Sequence, residues 1–313
     1  MVHRQTIQAR NFDSVLHPAL PGKPARLNIR LKATLFAKDP TASASTSPGV
    51  FTFTHRVVHD MSARTAGLVL DGSGRPWRCC TWLEAEFNAF KIEFKRVVER
   101  AWNDQLILVP PDGSEPGEEI SDATYREFIN APNIPAHVRC GLEIALVPNA
   151  PWTSPHALIE VARLEPSSGH QFRSFMMLMT NEDVEVSHAA DHTGHIHSQV
   201  TAAHEVGHWL GRPVSMTTPG RFLDHIDFAR CAAADPQYQP NDDCEYGWTL
   251  TRRKALMGLG SLVTDYEAKP WLTRARRHTR VLFGWDVVHR VDFLRTVRVS
   301  ERQRRLVAAA TRH

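Results

Sequence analysis

The chain has 313 residues, 42% hydrophobic and 23% charged, which is enough to bury a sizeable core without a disulfide scaffold. A formal charge of +3 is too small to argue by itself for nucleic acid or a membrane surface. No apolar run reaches the roughly 18 residues of a membrane-spanning helix, and the first residues lack the apolar core of a secretory signal. The expected compartment is therefore the cytoplasm, with export or delivery as an effector open by any route that reads no such signal.

Residues 26–37, "RLNIRLKATLFA", alternate with Leu27, Ile29 and Leu31 on one face and predict a strand. A small-residue loop follows at 41–49, and "VFTFTHRVV", 50–58, predicts a second strand. The turn-rich "DGSGRP", 71–76, suggests a boundary, with a β-rich N-terminal region over 1–78 and the main domain over 79–313. Within 82–102, Phe87, Phe90, Phe94, Val97, Val98, Ala101 and Trp102 recur at helical spacing and predict a long core helix that backs a sheet. An acidic loop at 110–119 separates it from three strand candidates, 138–147, 156–164 and 172–180. Met176, Met177 and Met179 in the third read as buried strand residues rather than soft-metal ligands. The fold class is α+β: a mixed sheet, a backing helix and one further helix at 201–210, preceded by the β-rich region.

That further helix carries the chemistry. "TAAHEVGHWLGRP", 201–213, contains His204, Glu205 and His208 as H-E-x-x-H. Residues i and i+4 share one helical face about 6 Å apart, so two imidazoles can grip one zinc ion with Zn–N bonds near 2.0 Å. Glu205 beside them is suited to take a proton from water and pass it to a leaving amine. Chance gives on the order of 0.05 such matches in a chain of this composition. Ser198 or Thr201 is expected to cap the helix, Gly211 to end it in the left-handed region, and Pro213 to stop its continuation. Val200, Ala203, Gly207 and Leu210 form a separate stripe for the core.

"HEVGHWLG" resembles the first part of the metzincin motif H-E-x-x-H-x-x-G-x-x-H, within the zincin metallopeptidases. "ALMGLGS", 255–261, resembles their Met-turn, with Met257 as the methionine under the metal. The resemblance covers roughly 200–270. It implies a zincin-like domain, a zinc cofactor and hydrolysis of a peptide or protein substrate, with Glu205 as general base. The position where a metzincin has its third ligand is Val214, which cannot bind zinc, so another residue has to serve. Glu267, in "SLVTDYEAKPW", is the expected third ligand, as in the His2Glu set of gluzincins, although Thr264-x-x-Glu267 also reads as a capping box. Glu245 in "DDCEYGW" and Asp224 and His225 in "RFLDHIDF" are the alternatives.

The remaining features read as structural. The His-rich "SHAADHTGHIH", 187–197, reads as a solvated loop rather than a metal tract. Tyr246 and Tyr266 are candidates to stabilise an oxyanion. The five cysteines include no C-x-x-C. Cys79–Cys80 reads as part of a strand, and one bridge, Cys231 to Cys244, stays open. The Arg-rich stretch from Trp271 onward reads as a solvated helical face rather than a nucleic-acid surface. The strand around 172–179 could align a substrate by β-addition. Two other function classes remain: an inert binding protein on a zincin scaffold, which Val214 favours, and a nucleic-acid binder using the basic tail.

Overall fold

The computed structural model describes residues 4–40, 67–111, 137–150, 152–165, 172–211, 223–227, 229–231 and 243–293. The strand candidate at 50–58 and nearly all of the acidic loop lie outside the described residues.

The strand expected at 26–37 is β3 (Ala25–Ala37), counting after β1 (Gln5–Ile7) and β2 (Asp13–His17). Leu27, Ile29, Leu31 and Ala33 along it are fully buried, as its alternation requires. One edge of β3 pairs parallel with β7 (Val138–Leu146) over Ala25–Ala33. Its other edge is shared: β2 pairs antiparallel with Arg26–Arg30, and β8 (Ala157–Leu164) pairs parallel with Ala33–Ala37. β6 (Leu106–Val109) and β12 (Asp286–His289) extend the sheet beyond β7. Beyond β8 lie β5 (Pro76–Cys80) and β4 (Leu68–Leu70). The architecture is mixed α+β. The expected division at residue 78 is not a break in this sheet, because β1–β3 belong to the same sheet as β7 and β8.

The long helix is α1 (Glu84–Trp102), and it buries Phe87, Phe90, Phe94, Val97, Val98 and Trp102. These join the β3, β7 and β8 side chains and those of α2 (Thr201–Leu210) in one core cluster. Full burial of a large apolar side chain such as Phe94 stabilises by about 1.5–3 kcal/mol. Trp102 locks the layers: its Nε1 donates to Ala203 O of α2 at 3.0 Å, and its ring stacks on Trp271 at 5.7 Å. Trp271 belongs to α3 (Lys269–Thr279), and its Nε1 donates to Gly141 O of β7 at 2.9 Å.

Two segments differ from expectation. Of 172–180 only Leu178–Thr180 is a strand, β9, parallel to β8; Met179 is fully buried, while Met176 and Met177 pack partly buried against the core. The His-rich tract is a hairpin, β10 (Val186–Ala190) with β11 (Ile196–Val200). Asp191 organises its turn. Its Oδ1 accepts from the Thr193 and His195 amides, and its Oδ2 lies 2.9 Å from His197 Nε2 and 2.6 Å from Arg253 Nη1. The Thr193 hydroxyl, then His197 and Arg253, hold this carboxyl well below the usual carboxylate range. The Arg-rich helix is not wholly solvated either. Arg274 is buried, lies over the Phe12 ring at 4.5 Å, and donates to Asn11 Oδ1 and Phe12 O. Among the described residues no helix is long and apolar enough to cross a membrane.

Candidate metal centre

β11 runs straight into α2, and every residue from Ala202 to Leu210 is buried. Neither Ser198 nor Thr201 caps the helix. Its N-cap is Val200, which offers no side-chain acceptor, and Ser198 Oγ instead pairs with His188 Nδ1 at 2.9 Å. The Asp183 carbonyl serves in its place, accepting from Ala202 N at 3.0 Å.

Two glycines let the chain close around this helix. A Cβ on Gly207 would collide with Met257 Sδ and come within 3.2 Å of both Met257 Cε and Trp102 Cζ2, so Met257 sits directly against α2. Gly211 is not left-handed, as the sequence predicted, but has φ −84°. It is needed for room, since a Cβ there would run into the backbone N and O of Leu223. That crossing returns the chain beneath the helix, and His225 follows two residues later.

His204, His208 and His225 form one group, with a ring nitrogen from each lying within 4.8 Å of the others. Their ring centroids are 4.9–5.3 Å apart. Two of the rings are oriented through Nδ1. His204 Nδ1 lies 2.7 Å from Leu256 O, and His225 Nδ1 lies 2.7 Å from Glu245 Oε1, itself almost fully buried. With Leu256 O as acceptor on Nδ1, His204 keeps its Nε2 lone pair for an ion, while the Glu245 carboxylate lies beside His225 Nδ1 at ion-pair distance. Burial, then the neighbouring His225, pushes His204 down to about 3, so it is neutral near pH 7 as a ligand must be. Glu205 is buried on the same helix, next to His204.

The segment carrying His225 is held from several sides. Asp224 N donates to Tyr266 Oη at 3.3 Å, and that hydroxyl donates back to Asp224 O at 3.2 Å. Burial pushes the Tyr266 hydroxyl up to about 12. Ile226 N donates to Met257 O, and Asp227 N to Glu245 O. Asp227 binds Arg252 at 2.8 Å and accepts from Trp248 N. The bridge left open by the sequence is present: Cys231 and Cys244 are disulfide-bonded, their Cα atoms 6.2 Å apart. It ties the His225 segment to the residue before Glu245. Tyr246 lies beside the group, its ring 4.1 Å from that of His225.

Glu267, expected as the third ligand, is not in the group. Its Oε1 accepts from Met257 N at 2.9 Å, and its Oε2 accepts from Thr264 N at 2.7 Å and from the Thr264 hydroxyl. It is fully buried and braces the turn after Met257; the Thr264 amide bond is the return half of the expected capping box, but the Thr264 hydroxyl accepts from Tyr266 N at 3.3 Å and the helix N-cap is Asp265. Glu245 approaches the group through His225, and Asp224 Oδ1 is occupied by the His225 amide at 3.0 Å. Of the alternatives, only His225 joins His204 and His208 in the group. Val214 lies outside the described residues. In the sequence, Asp224 and His225 are the candidates nearest the position of Val214, but as loop residues they read as solvated and Glu267 ranks above them.

Compared with protein-family models, curated proteins and solved structures, the chain matches none.

Proposed function

We propose that the chain is a zincin-type zinc metallopeptidase, with His204, His208 and His225 as the metal ligands and Glu205 as general base. The observation that carries this reading is the convergence of three histidines, two from H-E-x-x-H and one from a returning segment, within 4.8 Å. The donor set fits zinc: three imidazoles would hold the ion, the number of protein ligands that catalytic zinc sites use. Met257 packed against Gly207 matches the methionine turn of metzincins, and the mixed α+β layers are compatible with a zincin-like domain.

Bound zinc supplies a Lewis acid that polarises a peptide carbonyl and acidifies water. Glu205 takes the proton of the attacking water and returns it to the leaving amine. His204 and His225, fixed through Leu256 O and Glu245, keep their orientation while that charge moves. The objection raised by Val214, which favoured an inert binding protein, loses its force when His225 completes the set. The basic-tail reading loses Arg274, which is spent inside the fold.

Elemental analysis with activity assays tests the proposal. Wild type should hold one zinc per chain, and His225→Ala should lose it while Glu267→Gln keeps it. Glu205→Gln should retain zinc and cleave nothing in a broad peptide library that the wild type cuts. Zinc retained in His225→Ala overturns the ligand set, and equal or absent cleavage by wild type and Glu205→Gln favours the binding protein.

A further inference from the structure

We infer that Gln199 is a positioning residue of the metal centre: its side-chain amide gathers the Leu256–Gly260 loop and thereby sets the tautomer of His204. The inference rests on the metal site proposed above and deepens it.

Gln199 lies on β11, opposite Ser187 in the hairpin register and five residues before His204. Its Nε2 donates to three backbone carbonyls, Leu256 O, Gly258 O and Gly260 O, each at 3.1 Å. An amide has only two N–H protons, so the three acceptors consume its whole donor capacity. The orientation of the amide is fixed by those partners: flipped, its oxygen would face three carbonyl oxygens.

His204 Nδ1 lies 3.3 Å from the same Nε2 and 2.7 Å from Leu256 O. These two neighbours demand opposite tautomers. Donation from Gln199 to Nδ1 would put the imidazole proton on Nε2 and close that nitrogen to a metal. Donation from Nδ1–H to Leu256 O leaves the Nε2 lone pair open. With the Gln199 protons committed to carbonyls, the second arrangement holds, and the same amide fixes Leu256 O where Nδ1–H needs it. The loop reaches this conformation because Gly258 carries no side chain; a Cβ there would sit 2.6 Å from Tyr246 O and 2.7 Å from Arg252 O. Gln199 acts through His204 and needs no contact with substrate or metal.

The test uses Gln199→Met, which removes the donors at similar length, and Gln199→Glu, which keeps the shape and sets a carboxylate against three carbonyls. Zinc affinity is measured by chelator competition, and the His204 ring is followed by 15N–1H correlation NMR with and without zinc. The wild type should give a slowly exchanging Nδ1–H for His204. Both variants should lose it, and their zinc affinity should fall about 10–100-fold, the range for outer-shell partners. Thermal melts identify any variant that does not fold, and either variant suffices. Wild-type zinc affinity with an unchanged His204 resonance in a folded variant overturns the inference. A wild type that binds no zinc defeats the metallopeptidase reading instead, and the His204 resonance of the metal-free chain then decides the role of Gln199.

Discussion

Gly207→Ala pits two effects against each other inside the H-E-x-x-H helix. An alanine in a helix interior is more favourable than glycine by about 1 kcal/mol, so on propensity alone the variant is stabilised. The methyl, however, would run into Met257 Sδ and approach Met257 Cε and Trp102 Cζ2 to 3.2 Å. Neither neighbour yields readily. Met257 is fully buried, and its backbone is pinned by Glu267 at the amide and Ile226 at the carbonyl. Trp102 is stacked on Trp271 and bonded to Ala203 O. Overpacking of a filled core costs about 1–3 kcal/mol, and a sulfur that cannot swing away belongs near the top of that range. The net expectation is destabilisation by about 1–2 kcal/mol, or a melting temperature lower by about 2–4 °C per kcal/mol in a domain of this size. Zinc affinity should fall as well, because the helix moves against the His225 segment. Thermal melts of the metal-free chain and chelator competition read the two effects. In a Met257→Ala background the penalty should vanish and the propensity gain emerge, a coupling of about 2–3 kcal/mol across the cycle. A single Gly207→Ala variant that is about 1 kcal/mol more stable, with unchanged metal affinity, refutes the packing of Met257 on this helix.

Three further outcomes are expected. Glu245→Gln should weaken zinc binding about 10–100-fold by depriving His225 of its carboxylate, and chelator competition reads the change directly. The metal-free chain should lose stability as pH falls below 6.5, the ordinary histidine value. His156 and His278 are pushed down to about 4 and His204 to about 3, chiefly by burial, so the unfolded chain binds more protons across that window. Asp183, pushed up to about 6 by burial, opposes this between its ordinary value of 3.8 and 6. Urea titrations at pH 7.5 and 5 should differ accordingly, and equal midpoints would contradict the assigned burial. Paired Cys231→Ser and Cys244→Ser substitution, or reduction with a phosphine, should destabilise the chain by up to about 3 kcal/mol, the entropy of closing a loop of some 15 residues. Melts unaffected by reductant would argue against the bridge.

Periodic features are the ones legible in the residues alone. β3 and α1 lie within two residues of their expected ends because alternation and helical spacing are local properties of the chain. His204, Glu205 and His208 are legible for the same reason, since they share little more than one helical turn. The proposed third ligand is not, because His225 reaches the group by a return past Gly211 whose path no spacing rule describes. Glu267 has the residue type and the place of a ligand, an acid soon after a methionine turn. Its oxygens are nevertheless consumed by three local donors, which only the folded turn brings to it. The His-rich tract is polar, and polarity alone suggests a loose loop. Its order comes from one aspartate, Asp191, whose partners His197 and Arg253 are far apart along the chain. At Gly211 the sequence suggests backbone freedom, whereas the fold uses its lack of volume.

The pairing of β3 also has a kinetic side. Ala25 sits beside Val138 and Ala33 beside Ala157, so a strand near the start of the chain waits for partners made much later. Closing loops of that size is slow, and parallel pairing of this kind delays folding relative to hairpins. During synthesis the apolar face of β3 stays uncovered until β7, α1 and β8 have all emerged, which is the interval in which aggregation threatens. His204, His208 and His225, the proposed ligands, all lie beyond residue 200 and emerge only after those elements. β3, β7 and β8 are therefore available before the first of these histidines, while β12 joins the sheet only after the last.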